Sequence, residues 1–245
     1  MRFTSNISIF VVILLTGFPG SARSEDSNDQ VKETAFDAAH GVNITVRMEG
    51  PYTAEVPLQI VCYFKYTPDG AKRMSGAPVE LDKRFGGAIG SLRQRGEFVG
   101  DQLETLLIIP PKGTIEAKAL LLVGLGDESA LSLKLMEAVG KVSVREAARL
   151  GISRVAFAPL IRDQGNNKFS TGDVETAVVR GMLLAYDTEK RLQQEGLTKE
   201  FSLEQWNVEA GPTYFDETVK GVKEAIDQAQ TETAKRSSSP YAATK

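Results

Sequence analysis

KALLLVGLG, residues 118–126, contains the unbroken apolar run Ala119 to Val123, followed by Gly124 and Gly126 on either side of Leu125. A strand with one wet face alternates apolar and polar residues, so an unbroken run predicts a strand buried on both faces, as in the middle of an α/β sheet. Just upstream, ETLLIIP (104–110) is a second run of this kind, and PPKGTIEA between them serves as a short connection. LQIVCYFKY (58–66) is β-branched and aromatic and ends in the turn residues TPDG, while RVAFAPL (154–160) is another buried strand. GVNITVRMEG (41–50) alternates Val42, Ile44, Val46 and Met48 against polar neighbours, and FSLEQWNVEA (201–210) supplies a last strand.

Helical periodicity fills the intervals. A pattern from Asp127 to about Leu150 places Leu135, Val139 and Val142 on one stripe, with Gly151 at its end. The clearest helix follows the polar loop RDQGNNKFSTGD (162–173), where Val174, Ala177, Val178, Gly181, Met182 and Ala185 share one face and Ser170 with Asp173 forms a capping pair. Another helix runs from about Tyr214 into the 220s. Strands alternating with helices predict an α/β fold of three layers, α/β/α, around a mixed, mostly parallel sheet.

One helix raises a chemical question. In LDKRFGGAIG (81–90) and beyond, Leu81, Phe85, Ala88, Ile89 and Leu92 keep helical spacing, yet Gly86, Gly87 and Gly90 lie among them. Each glycine costs a helix interior roughly 1 kcal/mol relative to alanine. Either close packing on the sheet or a ligand that approaches the backbone would compensate, and packing is the favoured reading.

The N-terminus reads as a secretory leader over residues 1–24: Arg2, then the apolar run ISIFVVILLTGF, then small residues at Ala22 and Ser24. That run is shorter than the roughly 20 residues a membrane span needs. The expected location is therefore secreted or periplasmic, with no membrane attachment after cleavage. Of 29 basic and 32 acidic residues, Arg2 and Arg23 lie in the leader, which leaves 27 against 32 and a net charge of −5. With no dense basic cluster, nucleic acid is excluded as a partner. A lone cysteine, Cys62, rules out an internal disulfide framework, and a lone histidine, His40, gives little basis for a histidine metal site or a Ser-His-Asp arrangement. Arg93, Arg95 and Glu97 read as a charged surface turn, and Phe201 and Trp206 as core aromatics.

From Leu81 to about Glu195 the sequence resembles the N-terminal domain of the leucyl (cytosol) aminopeptidase family. The likeness is carried by LDKRFGGAIGSLRQRGEFVGDQLETLLIIP, KALLLVGLGD, LKLMEAVGKVSVREAARLGISRVAFAP and ETAVVRGMLLAYDTEK. The family's enzymes hold two metal ions on Asp, Glu and Lys of a separate C-terminal domain, within a sequence similar to N-T-D-A-E-G-R. No such string occurs here, so the resemblance transfers no catalytic or metal-binding residue, and no cofactor is expected. The resemblance also implies kinship with macro domains, which bind ADP-ribose through glycine-rich loops. On that basis Gly86 and Gly87, with Gly124 and Gly126 after the strand, would line a ligand cleft, and Asp127 would accept a ribose or adenine hydrogen bond. An acid such as Asp127 before a helix at Ser129 more often serves as an N-terminal dipole partner.

The expected organisation is a leader over 1–24, a flexible segment over 25–40, a macro-like α/β domain over 41–213, a connecting-type helix over 214–230 and a disordered tail over 231–245. The expected function is that of a non-catalytic module acting by association with a protein partner or with itself. The alternatives are a macro-like binder of a nucleotide or related small molecule and, third, a residual metal-dependent aminopeptidase.

Overall fold

The computed structural model describes residues 31–236. The leader expected over 1–24 and the last nine residues, 237–245, lie outside the described residues. In chain order the strands are β1 (Glu33–Asp37), β2 (Asn43–Arg47), β3 (Leu58–Tyr63), β4 (Thr105–Ile108), β5 (Leu120–Gly124), β6 (Arg154–Ala158) and β7 (Gln205–Glu209). The helices are α1 (Pro68–Arg73), α2 (Ala77–Arg84), α3 (Ala88–Gln94), α4 (Leu133–Leu150), α5 (Thr171–Gln194) and α6 (Phe215–Thr233).

The seven strands form one sheet in the order β1-β2-β7-β6-β3-β5-β4. Its inner pairings are parallel, and both outermost strands run antiparallel to their neighbours. Every residue of β3 and β5 is buried, which is what their unbroken apolar runs require. Successive residues of these strands feed two different cores. Ile60, Cys62, Leu121 and Val123 pack with Met136 and Val139 of α4, Val178 and Met182 of α5 and Val222 of α6. Val61, Tyr63, Leu120 and Leu122 pack instead with Leu81 of α2 and Ile89 of α3. The result is the three-layer α/β/α arrangement of a mixed, mostly parallel sheet.

Four expectations change. The stretch around Gly86 and Gly87 is not one helix: α2 ends where the Phe85 N–H bonds to the Leu81 carbonyl, Gly86 and Gly87 adopt φ of +63° and +83°, and Gly87 then caps α3. A Cβ at either glycine would meet nothing within 4 Å, so both serve a left-handed turn and neither provides close packing. Gly87→Ala is expected to cost about 1–2 kcal/mol from backbone conformation alone. A urea unfolding midpoint checks this, and an unchanged midpoint would contradict it.

The segment expected to be flexible over 25–40 contains β1, paired antiparallel with β2 from Glu33↔Arg47 to Asp37↔Asn43. Its inward Phe36 packs on the core, a single large apolar residue too weak to announce a strand. The last helix runs on to Thr233, past the expected end at 230, and Arg236 is fastened beyond it. Its guanidinium donates to Asp187 at 2.6 Å and to the Leu184 carbonyl at 3.1 Å, so residues 231–236 are ordered where a disordered tail was expected. Asp187 also faces His40 Nε2 at 2.9 Å. Finally, Arg93 is not on the surface: it is 4% exposed, donates to the Phe64 carbonyl at 2.8 Å and stacks over Tyr63, leaving Arg95 and Glu97 as the exposed pair.

Candidate functional site

Parallel strands that finish on the same side of a sheet leave a crevice beyond their carboxyl ends, and ligands of open α/β sheets bind there. In this protein β2, β6 and β7 end together around a cavity of about 580 Å³. Its walls are residues 48–52 after β2, 158–163 after β6, 209–212 and Tyr214 after β7, and 169–171 with Val174 and Glu175 at the start of α5.

Local hydrogen bonds hold these walls. Ser170 Oγ accepts the Asp173 N–H at 3.0 Å and fixes the start of α5, as its sequence implies. The buried Gln164 accepts the Phe64 N–H at 3.0 Å and donates to the carbonyls of Cys62 at 3.0 Å and Leu160 at 2.9 Å, which ties the loop after β6 to β3. That anchoring holds Leu160, a non-glycine residue on the cavity wall, at φ +53°. Arg162 gathers the remaining loop, donating to Thr171 Oγ1 at 2.9 Å, Asn167 Oδ1 at 3.0 Å and the Phe169 carbonyl at 3.2 Å, with its guanidinium 4.7 Å from the Tyr214 ring centre.

The chemistry of the cavity is acidic. Glu175 is 1% exposed and its Oε2 meets no partner; Glu209 is 8% exposed, and neither of its carboxyl oxygens makes a well-aligned hydrogen bond, although the Gln59 amide faces them. Burial pushes the Glu175 carboxyl up to about 8. Glu209 lies well above the usual carboxylate range, first through burial and then through the neighbouring charges of Glu49 and Glu175, with the Gln59 amide and Arg47 opposing. Burial also raises Glu49, although Arg47 Nε donates to it at 2.8 Å, and it raises Asp163.

The glycines singled out for a cleft lie away from this cavity and serve the backbone. Gly86 and Gly87 make the α2–α3 turn. Gly124 lies against the loop after α3, where a Cβ would be 1.9 Å from the Asp101 carbonyl oxygen. Gly126 donates to the Gly100 carbonyl at 2.9 Å and accepts from the Lys65 N–H at 2.8 Å. Asp127 borders a separate hollow of about 80 Å³ beside Lys65, Arg73 and Arg93. It precedes a single 3₁₀ turn, Glu128–Ala130, without a side-chain cap bond, and α4 itself begins later, at Leu133, under a Ser132 cap that accepts the Leu135 N–H. Glu175 and Glu209 were missed. A signal existed for the first, since Glu175 shares a helical stripe with Val178, Val179 and Met182. Glu209 gave none, because only the fold brings the end of β7 to α5.

Among the described residues, no three His, Cys, Asp or Glu side chains stand together in a way that could hold a metal ion. The two-metal centre of an aminopeptidase therefore does not fit these residues, and the resemblance is to a different part of such enzymes. Residues 60–195, more than half of the chain, match the N-terminal domain of the cytosol aminopeptidase family. The chain belongs to that family.

Within this family, a probable cytosol aminopeptidase of Roseiflexus castenholzii is 34% identical over 94 residues, a stretch that is 38% of this chain and 18% of the relative. The chain thus matches under a fifth of that relative's length. A tomato leucine aminopeptidase variant superposes with a TM-score of 0.57 at 16% identity, over 82% of this chain and 38% of that one. The Oceanobacillus iheyensis macrodomain with ADP gives 0.53 at 9% identity over 81% of this chain and 98% of the other. A Trypanosoma brucei macrodomain gives 0.51 at 14% identity over 73% and 66%. At such identities the structural likeness defines the fold: this family domain is macrodomain-like.

Proposed function

We propose that the chain is a non-catalytic binding module of the cytosol aminopeptidase family, exported from the cytoplasm, that holds a small organic molecule in the cavity beyond β2, β6 and β7. The observation that carries this reading is a pair of buried acids, Glu175 with one oxygen unpartnered and Glu209 with no well-aligned hydrogen bond, on the wall of a cavity of about 580 Å³ otherwise lined mainly by apolar groups. A buried polar group without a partner costs about 1–3 kcal/mol, a cost that a bound ligand offsets. The Oceanobacillus iheyensis macrodomain, which shares the fold, was solved with ADP. Association with a protein partner is the second reading; among the described residues the exposed large apolar side chains are Val31, Val79, Ile109 and Leu197.

The test is the thermal midpoint of the full chain with ADP, phenethylamine and phenethyl alcohol, each at millimolar concentration. A compound at 100 times its dissociation constant contributes about 2.7 kcal/mol, a rise of about 5–10 °C for a domain of this size. Gly211→Trp is expected to remove the rise. Gly211 borders the cavity, and a Cβ there meets nothing within 4 Å, so the indole occupies the rim without disturbing the core. No rise with any of the three would overturn the reading. Release of p-nitroaniline from leucine p-nitroanilide that depends on added Mn²⁺ and stops with a chelator would overturn the non-catalytic part.

A further inference from the structure

We propose that the molecule held in this cavity is an organic cation, an ammonium group on an apolar body, with Glu175 and Glu209 as its counter-charges. This rests on the ligand-binding reading above and goes further by naming the class of ligand.

Among the described residues, Arg47, whose charge acts on Glu209, and Arg162, which lines the cavity, are already engaged. Arg47 is shared between Glu49 at 2.8 Å and Glu33 at 2.7 Å. All three guanidinium nitrogens of Arg162 donate to Thr171, Asn167 and the Phe169 carbonyl, and its face covers Tyr214. Neither reaches Glu175 Oε2 or the two oxygens of Glu209; the Gln59 amide faces Glu209 without forming a well-aligned hydrogen bond. These oxygens lack a charged donor, and an ammonium, with three N–H donors and no acceptor, supplies one.

A phosphorylated ligand fits poorly by charge. Among the described residues, Glu49, Asp163, Glu175 and Glu209 line the cavity with one cation, Arg162. A nucleoside diphosphate would need free cations for its phosphates, and Arg162 is already engaged by Thr171, Asn167 and the Phe169 carbonyl, so the cavity leaves its charge unmatched. A metal ion is not favoured, because the carboxylates are not grouped for one. The apolar part of the ligand would lie against Tyr52, Ile161, Phe169, Val174 and Tyr214, which line the same space.

The reading has a pH signature. The groups facing Glu175 and Glu209 are Glu49 and Arg47 from β2, Cys62 from β3, Arg162 and Asp163 after β6, and Tyr214 after β7. Cys62 is held protonated by burial and by Glu175, so it does not ionise in the neutral range. In the empty cavity the Glu175 carboxyl, pushed up to about 8, is mostly protonated at pH 7, and Glu209 is shifted the same way. An incoming ammonium favours the carboxylate form and expels a proton to solvent. Affinity therefore rises with pH through the neutral range, by as much as roughly tenfold per unit for each proton released, and levels off above the carboxyl pKa.

The experiment is isothermal titration calorimetry of the full chain with phenethylamine, phenethyl alcohol and ADP between pH 6.5 and 9. Phenethylamine is expected to bind at least roughly tenfold more tightly than the alcohol of the same shape, and its affinity to rise with pH, with proton release seen as a dependence of the heat on buffer ionisation. Glu209→Gln and, separately, Glu175→Gln are expected to weaken the amine roughly tenfold and leave the alcohol unchanged. Equal affinity for amine and alcohol, preference for ADP, or a flat pH profile would overturn the cation assignment and leave the cavity as a binding site. Absence of binding by all three probes would overturn both readings.

Discussion

Gly181→Ala is expected to destabilise the domain by about 3 kcal/mol or more, or to prevent folding altogether. A Cβ at Gly181 on α5 would lie 2.0 Å from the Glu137 carbonyl oxygen on α4, and a Cβ at Gly140 on α4 would lie 2.0 Å from the Val178 carbonyl oxygen on α5. The two helices meet backbone to backbone at reciprocal glycines, and neither obstacle is a side chain that can rotate away. The same crossing is fastened by Arg180, which donates to Glu137 on α4 and Glu232 on α6. Separating the helices to admit a methyl group would loosen the core that Val139, Val178 and Met182 share, and overpacking commonly costs 1–3 kcal/mol even where side chains can adjust. Intrinsic propensity has the opposite sign, favouring alanine over glycine in a helix by about 1 kcal/mol. Urea unfolding followed by circular dichroism separates the two, and a variant as stable as the parent or more so would contradict the close crossing.

The second large effect concerns Glu175. A carboxyl free in the unfolded chain titrates near 4.5, while in the folded protein burial pushes Glu175 up to about 8. The native state therefore binds the proton more tightly. Stability from this group is complete below pH 4.5, falls as pH rises, and levels off above pH 8. The loss reaches roughly 3 kcal/mol by pH 7 on the linkage relation, equivalent to a fall of about 6–12 °C in the thermal midpoint. Glu49, Asp163 and Glu209 shift in the same direction and add to the slope. Glu175→Gln is expected to raise the midpoint by several degrees at pH 8, to change little at pH 5, and to flatten the profile between them. A midpoint for the variant at or below that of the parent at pH 8 would show that Glu175 is ionised and stabilised in the native state.

Much of the sheet was readable because burial on both faces leaves a mark that survives without neighbours. Ala119 to Val123 and Leu58 to Phe64 are too apolar for any half-exposed element, and the α5 stripe from Val174 to Ala185 fixed both its helix and its buried face. The capping role of Ser170 followed from spacing alone. The Gly86 and Gly87 break was hidden because Leu81, Phe85 and Ile89 keep helical phase across it, so periodicity continued where the backbone does not. β1 was hidden for the opposite reason: an edge strand contributes one inward aromatic, Phe36, beside Glu33, Thr34, Ala35 and Asp37, which resemble a leading coil.

The candidate site was the least legible part. Glycines attract functional readings, yet Gly124 is required by the Asp101 carbonyl beside it and Gly87 by a left-handed turn, both properties of the backbone. What marks the cavity is the burial of two acids, and burial depends on what the fold places around a side chain. Glu209 is an unremarkable acid in the sequence until β7 is set beside β6 and the start of α5.

The most direct measurement is to map amide chemical shifts of the full chain by NMR as phenethylamine and phenethyl alcohol are added. The expected result is that the largest changes fall on the cavity wall, at Glu49, Arg162, Glu175 and Glu209 and their neighbours, and disappear in Gly211→Trp. Changes centred on Gly86 and Gly87 or on Gly124 to Asp127, or no changes with either probe at millimolar concentration, would contradict the placement of a ligand site beyond β2, β6 and β7.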